Sequence, residues 1–381
     1  MNRPPRLLSL DALRGYTIAA MIIVNTPGSW SAVYSPLRHA SWHGLTPTDL
    51  VFPFFLFIVG VSIALAYSPP DAAGVERGTM HRKILLRTVK IFAVGIMLNL
   101  WPHFDLEQIR FAGVLPRIAI VFGITAMLFL HLPWRSLAGL TAAILLGYWG
   151  LLSLIPVPRD AVIEAAVVSG TVERAHGTIV DVSVVVHDDQ NVAPNLEPGA
   201  NLAAWFDRAF LPARFYEKTW DPEGWLSTLP SIATALLGLL AGIALRRFPD
   251  LITRVKLLST AGLVCLLIGT LWSLVFPFNK NLWTSSFVLA TAGWALLLFA
   301  ACLWIVDGKG WRRGAFPGIV FGANAITAYT LAGMLTIVVY RPLLSVRSPA
   351  ENIVGGLTAL GLSTELASLL FSLSYTTLIF I

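Results

Sequence analysis

Ten stretches of this chain are each about as long and as apolar as a helix that crosses a bilayer: 9–26, 48–67, 84–101, 113–131, 136–155, 227–245, 257–276, 284–305, 317–339 and 355–378. Crossing the hydrocarbon core takes about 20 mainly apolar residues. With no water there, every backbone N–H and C=O must be satisfied within the segment, so each run folds as a helix. The expected fold is an all-α, polytopic transmembrane bundle of about ten spans. Composition agrees: 56% of the 381 residues are hydrophobic and 13% are charged, about half the charged fraction of a soluble domain. That excludes a soluble enzyme, a disordered chain and a nucleic-acid-binding domain. The run 113–131 is distinguished by carrying Pro116 and Arg117 inside it.

The net charge of +6 is therefore read as basic cytoplasmic loops, with no nucleic-acid partner. Placing the N-terminus in the cytoplasm puts sixteen of the 27 Lys and Arg in inward segments, among them Arg3, Arg6, Arg14, Arg77, Lys83, Arg87, Arg246 and Arg247. Six fall in short outward segments: Arg38, Arg110, Arg117, Lys280, Arg341 and Arg347. The N-terminus lacks a cleavage pattern, so the first run is expected to be an uncleaved anchor. Three regions follow: a five-helix half over 1–155 carrying the candidate active site, an extended periplasmic segment over 156–226, and a second five-helix half over 227–381. Within the middle segment, 178–187 alternates loosely and is β-branched, which predicts a strand. Residues 161–176 are expected to pair with it through a turn at His176 and Gly177. The stretch NLAAWFDRAFL, with Trp205, Phe206 and Phe210 on one side, predicts an interfacial helix. The segment is read as a lid, a docking surface or a spacer. Cys265 and Cys302 both lie in apolar runs and form neither a disulfide framework nor a thiolate metal site.

Polar groups in or beside spans are costly, which makes each a functional candidate. They are densest between residues 11 and 49: Asp11 and Arg14 on the first run, Asn25 at its far end, His39, Trp42 and His43 in the following loop, and Asp49 opening the second run. Each also has a structural reading. Asp11 and Arg14, three apart, make an ion pair on one helix face. Asn25 before Thr26-Pro27-Gly28 ends a helix. Thr46 at the N-cap, Pro47 at N1 and Asp49 at N3 form a helix start. Trp30 and Trp42 suit an aromatic belt. The chemistry this group supports is acid–base work by histidine, with an asparagine amide donating to a developing oxyanion. No nucleophile elbow, zinc-spaced His/Cys cluster or Walker loop is present, so hydrolytic and NTP-driven mechanisms have no support and no metal is expected.

The stretches SLDALRGYTIAAMIIVNTPGSW and LRHASWHGLTPTDLVFPFFLFIVGVSIALA resemble the heparan-α-glucosaminide N-acetyltransferase family, in particular its bacterial membrane branch. The resemblance continues through IRFAGVLPRIAI, NLAAWFDRAFL, DPEGWLSTLPSIATALLG, FPFNKNLWTSSFVL and VFGANAITAYTLAG, and leaves out about 156–198. It implies acetyl transfer from cytoplasmic acetyl-CoA to a sugar amine, of glucosamine type, on the far side of a bacterial inner membrane. By the same resemblance, His39 matches the active-site histidine of the HA-x-W motif, Asn25 its partner asparagine and Asp49 the aspartate of D-L-V-F-P. Arg87, Arg110 and Arg117 match basic positions of the family. Three departures stand out: Pro116 replaces the glutamine of G-V-L-Q-R, His43 replaces the asparagine of W-N-G, and no counterpart of the animal members' lumenal domain is expected before the first span. The last draws the expected acceptor away from heparan itself.

CoA phosphates cannot cross hydrocarbon, but an acetyl group can be handed over inside it. The expected scheme binds acetyl-CoA through Arg14, Lys83, Arg87, Arg110, Arg117, Arg246 and Arg247, several of which the positive-inside rule also explains. His39 is the general base, Asn25 binds the carbonyl oxygen, and Asp49 orients His39 if it is not occupied with capping. Trp42, His43, Lys280 and Asn281 are the candidate acceptor-binding residues. An acetyl-histidine intermediate is the variant scheme, and a homodimer is left open. Two rival functions are a transporter of a sugar or small anion, and an O-acyltransferase of cell-surface glycan.

Overall fold

The computed structural model describes residues 7–67, 77–174, 178–211, 214–342 and 347–380. Arg3, Arg6 and the turn expected at His176 and Gly177 lie outside the described residues. The first helix, α1, is Leu8–Asn25. A 3-10 turn, Pro47–Leu50, leads into α2, Val51–Ala66. Then come α3 (Arg77–Leu100), α4 (Val114–His131) and α5 (Trp134–Leu154). The middle segment holds β1 (Val157–Pro158), α6 (Ala161–Ser169), β2 (Thr171–Glu173), β3 (Ile179–Asp181), β4 (Asn191–Val192) and α7 (Leu202–Phe210). The bundle resumes with α8 (Thr228–Arg247), α9 (Leu251–Trp272), α10 (Ser285–Cys302), α11 (Arg312–Ala323), α12 (Ala325–Tyr340), α13 (Pro349–Ala359) and α14 (Thr364–Phe380).

Among the described residues, seven helices are long and apolar enough to cross a membrane, or up to eight if a bent pair counts as one span. The chain is thus a multi-pass membrane protein, with fewer such helices than the ten runs led us to expect. Helix α3 starts at Arg77, and Arg82, Lys83, Arg87 and Lys90 interrupt its apolar character. The run 317–339 breaks at Asn324, where α11 and α12 meet at 74°. The run 355–378 divides into α13 and α14, the latter 17 residues long. Conversely, 113–131 is one unbroken helix. Pro116 falls in its first turn, where an N–H would have no intrahelical partner anyway.

Close helix contact rests on glycine. A Cβ on Gly60 of α2 would lie 1.9 Å from the Ala235 carbonyl oxygen of α8, and one on Gly238 of α8 would lie 2.0 Å from that of Phe57. The two backbones touch directly, as small residues allow inside membranes. Of the seven candidate spans, α8 is the most buried and α9 the least, so α8 forms the centre and α9 the periphery.

In the middle segment the strand expectation holds only over β3, which pairs antiparallel with β2. Residues 161–169 do not pair with it, because they form α6. Asp160 caps that helix by accepting from the Val162 and Ile163 N–H groups, and Gly170 ends it at φ +66°. Helix α7 forms as expected, with Trp205 and Phe206 each packed on Phe210.

Candidate active site

The Asp49 carboxylate does two jobs, one with each oxygen. Oδ2 accepts from the N–H of Thr46 (3.1 Å), the Thr46 hydroxyl (2.9 Å) and the N–H of Ala40 (3.1 Å). Oδ1 faces His39 Nδ1 at 2.7 Å. A carboxylate has no proton to give, so Nδ1 carries the hydrogen, and in the neutral ring the lone pair is on Nε2. The sequence left capping and orientation of His39 as alternatives for Asp49; the geometry combines them. Asp49 is 1% exposed, while the His39 side chain is 45% exposed and opens on a cavity.

That cavity, of about 340 Å³, is lined by Asn25, His39, Trp42, Asp49, Arg110, Lys280 and Asn281 of the expected residues. Asn25 is the last residue of α1, which brings its amide to the same opening. Lys280 comes from a loop 241 positions away, with Nζ 3.2 Å from both His39 ring nitrogens. Equal distances place the ammonium across the ring rather than in line with the Nε2 lone pair. Asn279 holds the loop, accepting from the Leu282 N–H at 2.9 Å. Burial pushes the Lys280 ammonium below the usual lysine range, against Glu223 and Asp49, which hold it up. His43 does not line the cavity; its Nδ1 lies 3.4 Å from Asn279 Nδ2.

Sequence reasoning missed Arg174, Tyr216, Glu217 and Glu223, which complete the cavity from the middle segment. Glu223 had a signal, lying in the DPEGW motif; Arg174 had none. Arg110 forks onto Asp221 (Nε–Oδ2 2.7 Å, Nη2–Oδ1 2.6 Å) and reaches Glu223 at 2.7 Å. Burial alone would push the Glu223 carboxyl up; Arg110, Arg117 and Lys280 outweigh it and hold it below the usual range. Arg117 is 1% exposed. Its Nη2 donates to the Gly224 carbonyl and the Ser227 hydroxyl, and its guanidinium lies 5.1 Å from the Trp283 ring centre. It ties α4 to the start of α8.

A second cavity, of about 680 Å³, opens at the other end of α1 and α2. Arg14 and Arg87 line it; Lys83, Arg110, Arg117, Arg246 and Arg247 do not. Arg14 is aimed by Ser62 Oγ (2.7 Å), Asp11 (3.1 Å) and the Gly322 carbonyl (3.3 Å), and Arg87 lies over the Phe122 ring at 4.8 Å. Arg246 donates to the Ala64 carbonyl. The break at Asn324 brings Ala325, Ile326 and Thr327, the first turn of α12, to the cavity wall. A void of about 10 Å³ lies between the two cavities. It shares Phe55, Ile118, Ala325 and Ile326 with the basic one and Met21, Val114 and Tyr329 with the one at His39.

Residues 6–160 match the family model described as heparan-alpha-glucosaminide N-acetyltransferase, catalytic. Over that stretch the chain is similar to the heparan-alpha-glucosaminide N-acetyltransferases. The Homo sapiens protein of that name is 30% identical over 373 residues, covering 86% of this chain and 52% of the human one. The Mus musculus protein is 28% identical over 373 residues, covering 85% of this chain and 53% of its own. The chain thus spans about half the length of the curated relatives it matches. The family match includes Asn25, His39, Asp49, Arg14, Arg87, Arg110 and Arg117, and ends before Arg174, Glu217, Glu223 and Lys280.

Proposed function

We propose that this chain is an integral membrane acetyltransferase that moves an acetyl group from cytoplasmic acetyl-CoA to the amine of a glucosamine-type sugar on the periplasmic side. The observation that carries the reading is the pair of cavities at opposite ends of α1, one holding Arg14 and Arg87, the other His39, Asp49 and Asn25, with an apolar neck between them. The donor set suits the substrate. Guanidinium groups and the first turn of α12 receive phosphates, and the apolar lining of the neck suits a slender, uncharged arm. The Lys and Arg at the ends of α3, α8, α9 and α11 favour the cytoplasm for the Arg14 end. Arg110 and Arg117, expected from the sequence at the CoA site, line the acceptor side and tie the bundle respectively.

Acetyl-CoA supplies the activated thioester. His39 Nε2 takes a proton from the acceptor amine as its nitrogen adds to the thioester carbonyl carbon. Asp49 holds the ring in the tautomer that permits this. The Asn25 amide donates to the oxygen as it turns negative. The carbon–sulfur bond then breaks, and His39 returns the proton to the departing sulfur. Trp42, Lys280 and Asn281 border the acceptor. Purified protein in proteoliposomes, given radiolabelled acetyl-CoA and a small amino-sugar panel, tests the reading, with mass spectrometry to separate amide from ester. His39→Ala is expected to lose about 10²–10⁴ in rate, Asn25→Ala about 10²–10³, and His43→Ala less than either. Full transfer by a normally inserted His39→Ala protein would remove the assigned base.

A further inference from the structure

The cavity at His39 is closed on one side by a wall that the family match does not cover. Arg174 and Glu217 line it from the middle segment. The Arg174 guanidinium forks onto the Glu217 carboxylate, Nε to Oε2 at 3.1 Å and Nη2 to Oε1 at 2.8 Å. Their position is coupled to the loop that carries His39. Arg174 lies over the Trp220 ring at 5.5 Å, Trp220 meets Trp42 edge to face at 5.5 Å, and Trp42 Nε1 donates to the Leu196 carbonyl at 2.8 Å. Trp42 is three residues from His39. On the other side, the Arg174 N–H donates to the Thr178 carbonyl at 2.7 Å, continuing the β2–β3 hairpin.

We propose that Arg174 and Glu217 recognise the hydroxyl groups of the acceptor ring and so set acceptor specificity; this rests on the acetyltransferase reading above. The argument is one of charge and pattern. An unpaired guanidinium in this position would select an anionic acceptor. Forked onto a carboxylate, the pair has no net charge but still presents N–H donors beside oxygen lone pairs. Neighbouring hydroxyls, each of which donates and accepts, match that pattern. A volume of about 340 Å³ sits at the low end of small-molecule sites and suits a single ring at the reacting position. The family-model match ends at residue 160, and this wall is supplied by the segment beyond it.

The test compares two acceptors that share a six-membered ring and an amine, glucosamine and cyclohexylamine, the second without hydroxyls. Arg174→Met keeps an apolar stem on Trp220, and Glu217→Gln keeps the shape of the carboxylate. Each variant is expected to raise KM for glucosamine about tenfold or more, the loss of one or two hydrogen bonds. kcat stays close to wild type, and KM for cyclohexylamine is unchanged. Equal losses for the two amines, or an unchanged glucosamine KM in both variants, would overturn the assignment while leaving the acetyltransferase reading in place. Failure of the wild-type protein to acetylate either amine would overturn both.

Discussion

Asp49→Asn separates the two jobs of one carboxylate. The new amide has one oxygen and one NH2, and two orientations compete. With the oxygen in place of Oδ2, the three donors from Ala40 and Thr46 keep their acceptor, and the NH2 faces His39 Nδ1. With the amide flipped, the two backbone N–H groups meet an NH2, at about 1 kcal/mol or more for each bond lost in a site this buried, while the Thr46 hydroxyl can turn its proton to the Arg38 carbonyl at 2.8 Å. About 2 kcal/mol therefore favours the first orientation, more than the cost of moving a proton between imidazole nitrogens. An NH2 only donates, so Nδ1 must accept, its proton moves to Nε2, and the base loses its lone pair. The expected kcat loss is about 10²–10⁴, with KM for acetyl-CoA unchanged and Tm lowered by a few degrees, because a neutral oxygen accepts more weakly than a carboxylate. Asp49→Ala should lose both jobs and insert poorly. Steady-state acetyl transfer and thermal unfolding of the same detergent preparations provide the comparison. An Asp49→Asn protein with kcat within threefold of wild type would refute the tautomer argument.

Arg87→Ala should raise KM for acetyl-CoA about tenfold, the worth of one charge-assisted contact, while Arg247→Ala, exposed and away from the cavity, should leave it unchanged; titrating the donor at saturating acceptor reads both. Asp207 is 2% exposed, and burial pushes its carboxyl up to about 7 from an ordinary 3.8. The native state thus keeps this proton to higher pH than the unfolded chain, so the fold loses stability as pH rises from about 4 to about 7, on the order of a few kcal/mol, and nothing further above that. Asp207→Asn, scanned by thermal unfolding, should match wild type near pH 4 and exceed it at pH 8. Gly60→Ala would set a methyl 1.9 Å from the Ala235 carbonyl oxygen and should destabilise by a few kcal/mol, seen as a lower Tm and a smaller monodisperse fraction in detergent.

Local patterns made part of this protein legible. Apolar runs of span length, basic residues at alternate ends, the Thr46-to-Asp49 helix start and the aromatic face of α7 each depend on residues a few positions apart. Their signals are periodicity and capping chemistry, which one stretch of chain carries alone. Asn25, His39 and Asp49 stood out for the same reason, lying within 25 positions of one another, and the family resemblance named them as candidates. Among the described residues fewer helices meet the length and hydropathy of a span than the ten runs, because of the charges in α3, the 74° break at Asn324 and the division between α13 and α14.

What the amino-acid order settled by itself is therefore a helical membrane bundle, and the neighbouring asparagine, histidine and aspartate that the fold brings to one cavity. The tertiary structure alone decided which charges meet. It set Lys280 against His39 across 241 positions, placed Arg14 and Arg87 in a cavity that Arg246 and Arg247 miss, committed Arg110 to Asp221 and Glu223, and enclosed Arg117 beside Trp283. Charged side chains in low dielectric stay where a partner completes them. That partner is chosen by how helices pack, through contacts as close as Gly60 on Ala235, and not by the residues adjacent in the chain.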